Sequence, residues 1–131
     1  VTYHDPCRLG RQMGIYEEPR ELVAGVEGVE LVEMEHHGED AMCCGVSSMM
    51  SCNENARALR ISRMEEIKNT GADTMLTSCP KCVSHFECLK FEDEEKYDIE
   101  ILDVVSFLAR QVEAKKSLID ETATTNIGVE A

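Results

Sequence analysis

Five of the seven cysteines in this chain fall in the pattern C-x35-CC-x34-C-x2-C, at Cys7, Cys43, Cys44, Cys79 and Cys82. Thiolates bind soft metals and carry redox chemistry, and nothing in the chain marks secretion, so a disulfide scaffold is not the expected use of an odd number of cysteines. The adjacent pair is the most telling part. Neighbouring residues point to opposite faces of a strand and sit about 100° apart on a helix. Regular structure therefore does not aim Cys43 and Cys44 at one target, whereas an irregular loop turning at Gly45 can. In TSCPKC, Pro80 suits the first position of a helix, which makes Cys79 the N-cap and puts Cys82 in the first turn. Backbone N–H groups and the helix dipole there favour thiolate over thiol.

These residues need elements that bring them together. The pattern alternates strand and helix, and it predicts strands at VTYHD, VELVEM, ADTMLTS and YDIEILD. Helices are predicted around PRELVAGV, MMSCNENARALRISRMEEIKNTG, CVSHFECLKF and VVSFLARQVEAKK. Strands separated by helices imply right-handed crossovers. The expected fold is a small α/β domain over residues 1–115, with about four parallel strands and helices on both faces. Residues 116–131 lack periodicity and are expected to form a solvated tail. On this map the five cysteines lie beyond the carboxyl ends of the strands, where open α/β sheets place ligands.

Bulk properties narrow the function. The 26 acidic and 13 basic residues give a net charge of -13, which argues against nucleic acid and anionic membranes as partners. No apolar run approaches the roughly 20 residues of a membrane span. The opening Val1 followed directly by a strand suggests a piece of a longer protein.

Three chemistries suit the cysteines. An iron–sulfur cluster spreads its ligands over several irons, so adjacent cysteines can each reach a different one. A structural zinc takes four ligands, one fewer than the five thiols on offer. A metal-free thiol–disulfide exchanger would use Cys79 to attack and Cys82 to resolve, which leaves Cys7, Cys43 and Cys44 without a role. Cys52 and Cys88 are expected to pack in the core, Cys52 also being a spare ligand near the start of the long helix. His4 and His85 are placed to support or join the site, and His36 and His37 to be solvated. Arg57, Arg60 and Arg63 are expected to form a solvated helix face, with Glu54 and Glu66 as partners three residues away.

HDPCRLGR, CCG and TSCPKC, in this order and spacing, resemble the cysteine-rich CCG domain over residues 1 to about 112. That domain is found in the B and D subunits of heterodisulfide reductase and in iron–sulfur subunits of glycolate, lactate and glycerol-3-phosphate oxidoreductases. The resemblance implies Cys7, Cys43, Cys44, Cys79 and Cys82 as ligands of a 4Fe-4S cluster, non-cubane in the heterodisulfide reductases, with zinc as the alternative. It further implies an oxidoreductase that reduces a disulfide of the CoM-S-S-CoB type. Implied partners are a second CCG domain and a ferredoxin-like or other electron-donor subunit. The implied location is the cytoplasm, at the edge of a membrane complex where partner subunits bring it there.

Overall fold

The computed structural model describes residues 1–46 and 53–126, with side chains up to residue 119. In chain order the elements are β1 (Thr2–His4), α1 (Glu17–Ala24), a 3-10 turn (Gly38–Asp40), α2 (Glu54–Asn69), β2 (Thr74–Thr77), α3 (Pro80–Glu92), β3 (Glu100–Asp103) and α4 (Val104–Asn126). The strands lie in the order β1-β2-β3. Both pairings are parallel, with Thr2 opposite Met75 and Thr74 opposite Glu100.

Strand alternation divides the interior in two. Tyr3 and Leu76 face Val23 of α1 and Val104 and Phe107 of α4. Met75 and Ile101 face Met64 and Ile67 of α2 and Phe86 and Leu89 of α3. The sheet is thus covered on both faces, as a parallel sheet must be.

The expected fourth strand does not form among the described residues, and the sheet has three. VELVEM runs extended beside β1, but only its middle takes up main-chain pairing: the Val1 amino group donates to the Glu30 carbonyl (2.7 Å) and Val32 N–H to the Val1 carbonyl (2.8 Å). Past that point side chains hold it. Val29 and Leu31 pack on one core and Met34 enters the other. Glu33 is gripped by Arg20, and the Met34 carbonyl meets His37 Nδ1. The end of the chain also differs from the expected aperiodic tail, because α4 continues as helix to Asn126. Its residues 112–119 are exposed.

Candidate metal centre

β1 ends at His4 and runs through Asp5 and Pro6 into the turn carrying Cys7. Asp5 is buried, and its carboxylate accepts a bidentate pair from Arg20 of α1 (2.7 and 2.9 Å) and the Gly38 N–H (2.8 Å). Arg20 also bonds both carboxylate oxygens of Glu33 and the Tyr16 carbonyl. The Asp5 hydrogen bond chiefly, opposed by burial and helped by Glu33, raises the affinity of Arg20 for its proton. This buried hub fixes the Cys7 turn against the loop leading to the cysteine pair. Arg11 adds a second tie, donating to the Ala41 carbonyl at 3.0 Å. Gly10 lets Tyr16 close over the turn, since a Cβ there would stand 2.5 Å from the ring.

Cys43 and Cys44 lie in non-repeating backbone, and Gly45 behind them has φ +90. A Cβ at Gly45 would meet the Ala56 carbonyl oxygen at 2.4 Å, so glycine is required twice, for conformation and for space. α2 opens beyond this loop, with the Asn53 side chain accepting from Ala56 N–H at 2.9 Å. Cys79 directly follows β2 and caps α3, Pro80 holds the first helical position, and Cys82 lies in the first turn. The irregular backbone at the cysteine pair, the turn at Gly45 and the start of α3 at Pro80 behind Cys79 follow the sequence expectation.

The loops converge in part. Cys44 Sγ and Cys82 Sγ stand 3.3 Å apart, unbonded, and both are buried. A nitrogen of His4 joins them, all three ligand atoms lying within 4.8 Å of one another. Cys79 packs against the same interior cluster. Cys43 Sγ accepts from Gly45 N–H at 3.3 Å, and Cys43 and Cys7 line one narrow cleft with Asp5, Pro6 and Arg11. Three buried groups therefore form a nucleus, with three half-buried thiols around and beside it.

Electrostatics keep the metal-free nucleus uncharged. The hydrogen bond with Cys43 stabilises the Cys44 thiolate, but the bond with Cys82, burial and the charge of Cys82 outweigh it and push the Cys44 thiol up to about 12. Neighbouring buried thiols resist joint ionisation, and a bound metal reverses that balance. Burial, then the Arg63 charge, lowers the His4 pKa to about 3. Arg63 Nε donates to His4 Nδ1 at 3.1 Å, so the neutral ring keeps its proton on Nε2. The soft donor set fits zinc or iron–sulfur chemistry better than a hard cation.

Other expected residues fall differently. His85, one turn after Cys82, is buried beside Gly45, and a Cβ there would lie 3.3 Å from its Nε2. Burial and Arg60 lower its pKa against the Ala56 backbone, and its Nε2 makes no hydrogen bond among the described residues. Cys88 is exposed on α3, not in the core, because the inward positions of that helix are taken by Cys82, His85, Phe86 and Leu89. Cys52 lies outside the described residues. His36 is half-exposed, but its Nδ1 pairs with Glu66.

The arginine face is the largest departure. Arg57 is solvated and paired with Glu92, yet Arg60 and Arg63 are fully buried. Arg60 donates to the His85 carbonyl at 3.2 Å and to Glu92. Arg63 pairs with Glu66 three residues on, as expected, and also reaches His4 and the His36 carbonyl. The signal was present in the spacing, since positions 60 and 63 share the buried stripe of Ala56, Met64 and Ile67.

The sequence model of the cysteine-rich domain designated CCG matches residues 1–87. The chain is 37% identical over 112 residues to the D subunit of dihydromethanophenazine:CoB–CoM heterodisulfide reductase from Methanosarcina acetivorans, covering 84% of this chain and 27% of that protein. It is 32% identical over 114 residues to the probable iron-sulfur-binding oxidoreductase FadF of Bacillus subtilis (86% and 16%). It is 34% identical over 110 residues to the B subunit of fumarate reductase (CoM/CoB) from Methanothermobacter marburgensis (82% and 22%). The chain thus spans about a quarter of the length of these relatives or less. No solved structure matches it. No helix among the described residues is long and apolar enough to cross a membrane.

Proposed function

Because the chain belongs to the cysteine-rich CCG family, we propose that it is an iron–sulfur domain of a heterodisulfide reductase-like oxidoreductase. Cys7, Cys43, Cys44, Cys79 and Cys82 are its ligands, holding a 4Fe-4S cluster of non-cubane type. The observation that carries this reading is the buried approach of Cys44 and Cys82 at 3.3 Å, beside His4. Two segments remote in sequence bring thiols together where an apolar core would otherwise close. The family resemblance and the iron–sulfur oxidoreductase names of the relatives support the same reading.

Such a cluster supplies one-electron chemistry and an iron to which sulfur can bind. The chain's own residues do the holding. The loop after Cys44 turns at Gly45, pressed against the Ala56 carbonyl of α2. The Asp5–Arg20–Glu33 hub keeps the Cys7 turn in register with that loop. His4 contributes an Nε2–H donor, suited to a sulfur ligand, while Arg63 occupies its other nitrogen. The substrate is a small-molecule disulfide of the CoM-S-S-CoB class. A second CCG domain completes the reaction site, and a ferredoxin-like or other donor subunit delivers electrons.

A zinc-bound docking domain is the second reading, favoured by the buried thiol pair of Cys44 and Cys82 with Cys79 packed beside it. Anaerobic reconstitution followed by iron, sulfide and zinc analysis and EPR separates the two. The proposal expects about four irons per chain and an EPR-active state, with Cys43→Ser losing both. One zinc without iron, or full iron in Cys43→Ser, overturns it.

A further inference from the structure

The proposed chemistry uses one hydrogen bond of a buried cation and leaves its charge without a role. Arg63 is completely enclosed on the sheet-facing side of α2, in a buried stripe that also holds Ala56, Arg60, Met64 and Ile67. A guanidinium does not shed its charge at any ordinary pH. Placing one in an interior is costly unless opposite charge and hydrogen bonds meet it. Its Nε is spent on His4 and its Nη1 on the His36 carbonyl and Glu66, while Nη2 has no partner among the described residues. Glu66 is a nearby carboxylate, Asp5 is already held by two contacts from Arg20, and the thiols of Cys44 and Cys82 lie just across the His4 ring that Arg63 bonds.

We infer that Arg63 is the fixed counter-charge of the thiol cluster, a positioning residue that acts on the centre through His4 while Glu66 moderates its charge. The geometry makes the two roles inseparable. The hydrogen bond to Nδ1 fixes the tautomer of the ring that lies beside Cys44 and Cys82. The charge lies behind the same ring, in a medium that screens it poorly. A centre that becomes more negative on reduction, or on exchanging thiol protons for a divalent metal held by several thiolates, is stabilised by that charge. Removing it shifts both equilibria the same way. Neutralising Glu66 leaves Arg63 less compensated and shifts them the opposite way.

That opposition of sign distinguishes an electrostatic role from a merely structural one, which would weaken the site in either variant. The potential measurement rests on the iron–sulfur reading, and cobalt(II) binding to the metal-free chain does not. Arg63→Gln, Arg63→Lys and Glu66→Gln would be compared with the parent chain. EPR-monitored redox titration reads the cluster, and the charge-transfer absorbance of Co2+ reads the thiolates. In Arg63→Gln the ratio of reduced to oxidised cluster at fixed potential falls about tenfold, a shift of about 59 mV to more negative values for one electron. Co2+ affinity falls in the same variant. Arg63→Lys stays nearer the parent than Arg63→Gln, and Glu66→Gln moves above the parent on both readouts. Shifts of one sign in Arg63→Gln and Glu66→Gln, or none in either, overturn the inference. Should Arg63→Gln fail to fold, the sign in Glu66→Gln decides alone. Should the chain take cobalt but no cluster, the iron–sulfur reading fails, and the order of cobalt affinities still supports or overturns the role of Arg63.

Discussion

Replacing Gly45 by alanine isolates the tightest geometric demand of the site. The backbone there has φ +90, which a residue with a Cβ adopts at a cost of about 1–2 kcal/mol. The added methyl would also stand 2.4 Å from the Ala56 carbonyl oxygen, a main-chain atom of α2 that cannot rotate away. Displacing packed backbone costs roughly another 1–3 kcal/mol, so Gly45→Ala is expected to lose about 2–5 kcal/mol. Gly28→Ala is the matched control. Its φ of +80 imposes similar strain, but nothing lies within 4 Å of the new methyl. That variant should lose only about 1–2 kcal/mol. Urea denaturation of the metal-free chain, followed by circular dichroism, measures both at common slope. The excess of Gly45→Ala over Gly28→Ala is the steric part. If the two variants unfold at the same urea concentration, the loop is free to retreat from α2, and the account of how Cys44 is aimed fails.

Three further expectations concern other parts of the fold. Arg20→Met leaves the nearly buried Asp5 carboxylate uncompensated and should cost about 3–5 kcal/mol by denaturant titration; a loss below about 1 kcal/mol would show the pair to be screened like a surface one. Asp103 accepts from the Val105 and Ser106 N–H groups and the Ser106 hydroxyl at the start of α4. Asp103→Ala should therefore cost about 1 kcal/mol at neutral pH. The Ser106 hydroxyl and N–H bonds hold its carboxyl below the usual range, so the carboxylate's contribution is present above the unfolded pKa. It is lost as pH falls through the lower folded value, and a stability gap between the parent and Asp103→Asn that widens on acidification would contradict this sign. Among the thiols of the described residues, exposed Cys88 should be the first to react with a disulfide reagent, and Cys88→Ser should leave metal content unchanged; Cys44 and Cys82 should react only as fast as the chain opens.

Much of the site could be read from residue order, because its signals are local. TSCPKC combines a strand end, a proline at a helix start and two thiols one turn apart, and α3 begins at Pro80 as that pattern requires. Gly45 behind the cysteine pair declares a turn in the same way. What escaped depends on partners remote in sequence. VELVEM alternates like a strand, and an extended segment alternates identically whether or not a neighbour offers a ladder. Only the positions of Glu33 and Met34 against Arg20 and His37 decide that it leaves β1. Arg60 and Arg63 carry the charge of a solvated face, and their burial becomes tolerable only because His85, Glu92, His4 and Glu66 meet them from elsewhere or from the next turn. The exposure of Cys88 likewise turns on which four residues of α3 reach the sheet first.

The parallel pairing of β1 has a consequence for timing. Its ladder partner is β2, at Thr74–Thr77, and β2 is completed on its other side by β3 at Glu100–Asp103. Among the described residues no nearer segment offers β1 a strand, so the cost of closing a long loop must be met before the ladder can form. The thiols assemble on the same schedule, since Cys44 meets Cys82 only once α3 has docked. During synthesis the early cysteines are therefore carried on unpaired chain, open to oxidation and to whichever metal arrives first. A metal offered during synthesis would meet loose thiols, whereas one offered after folding would meet the paired Cys44 and Cys82.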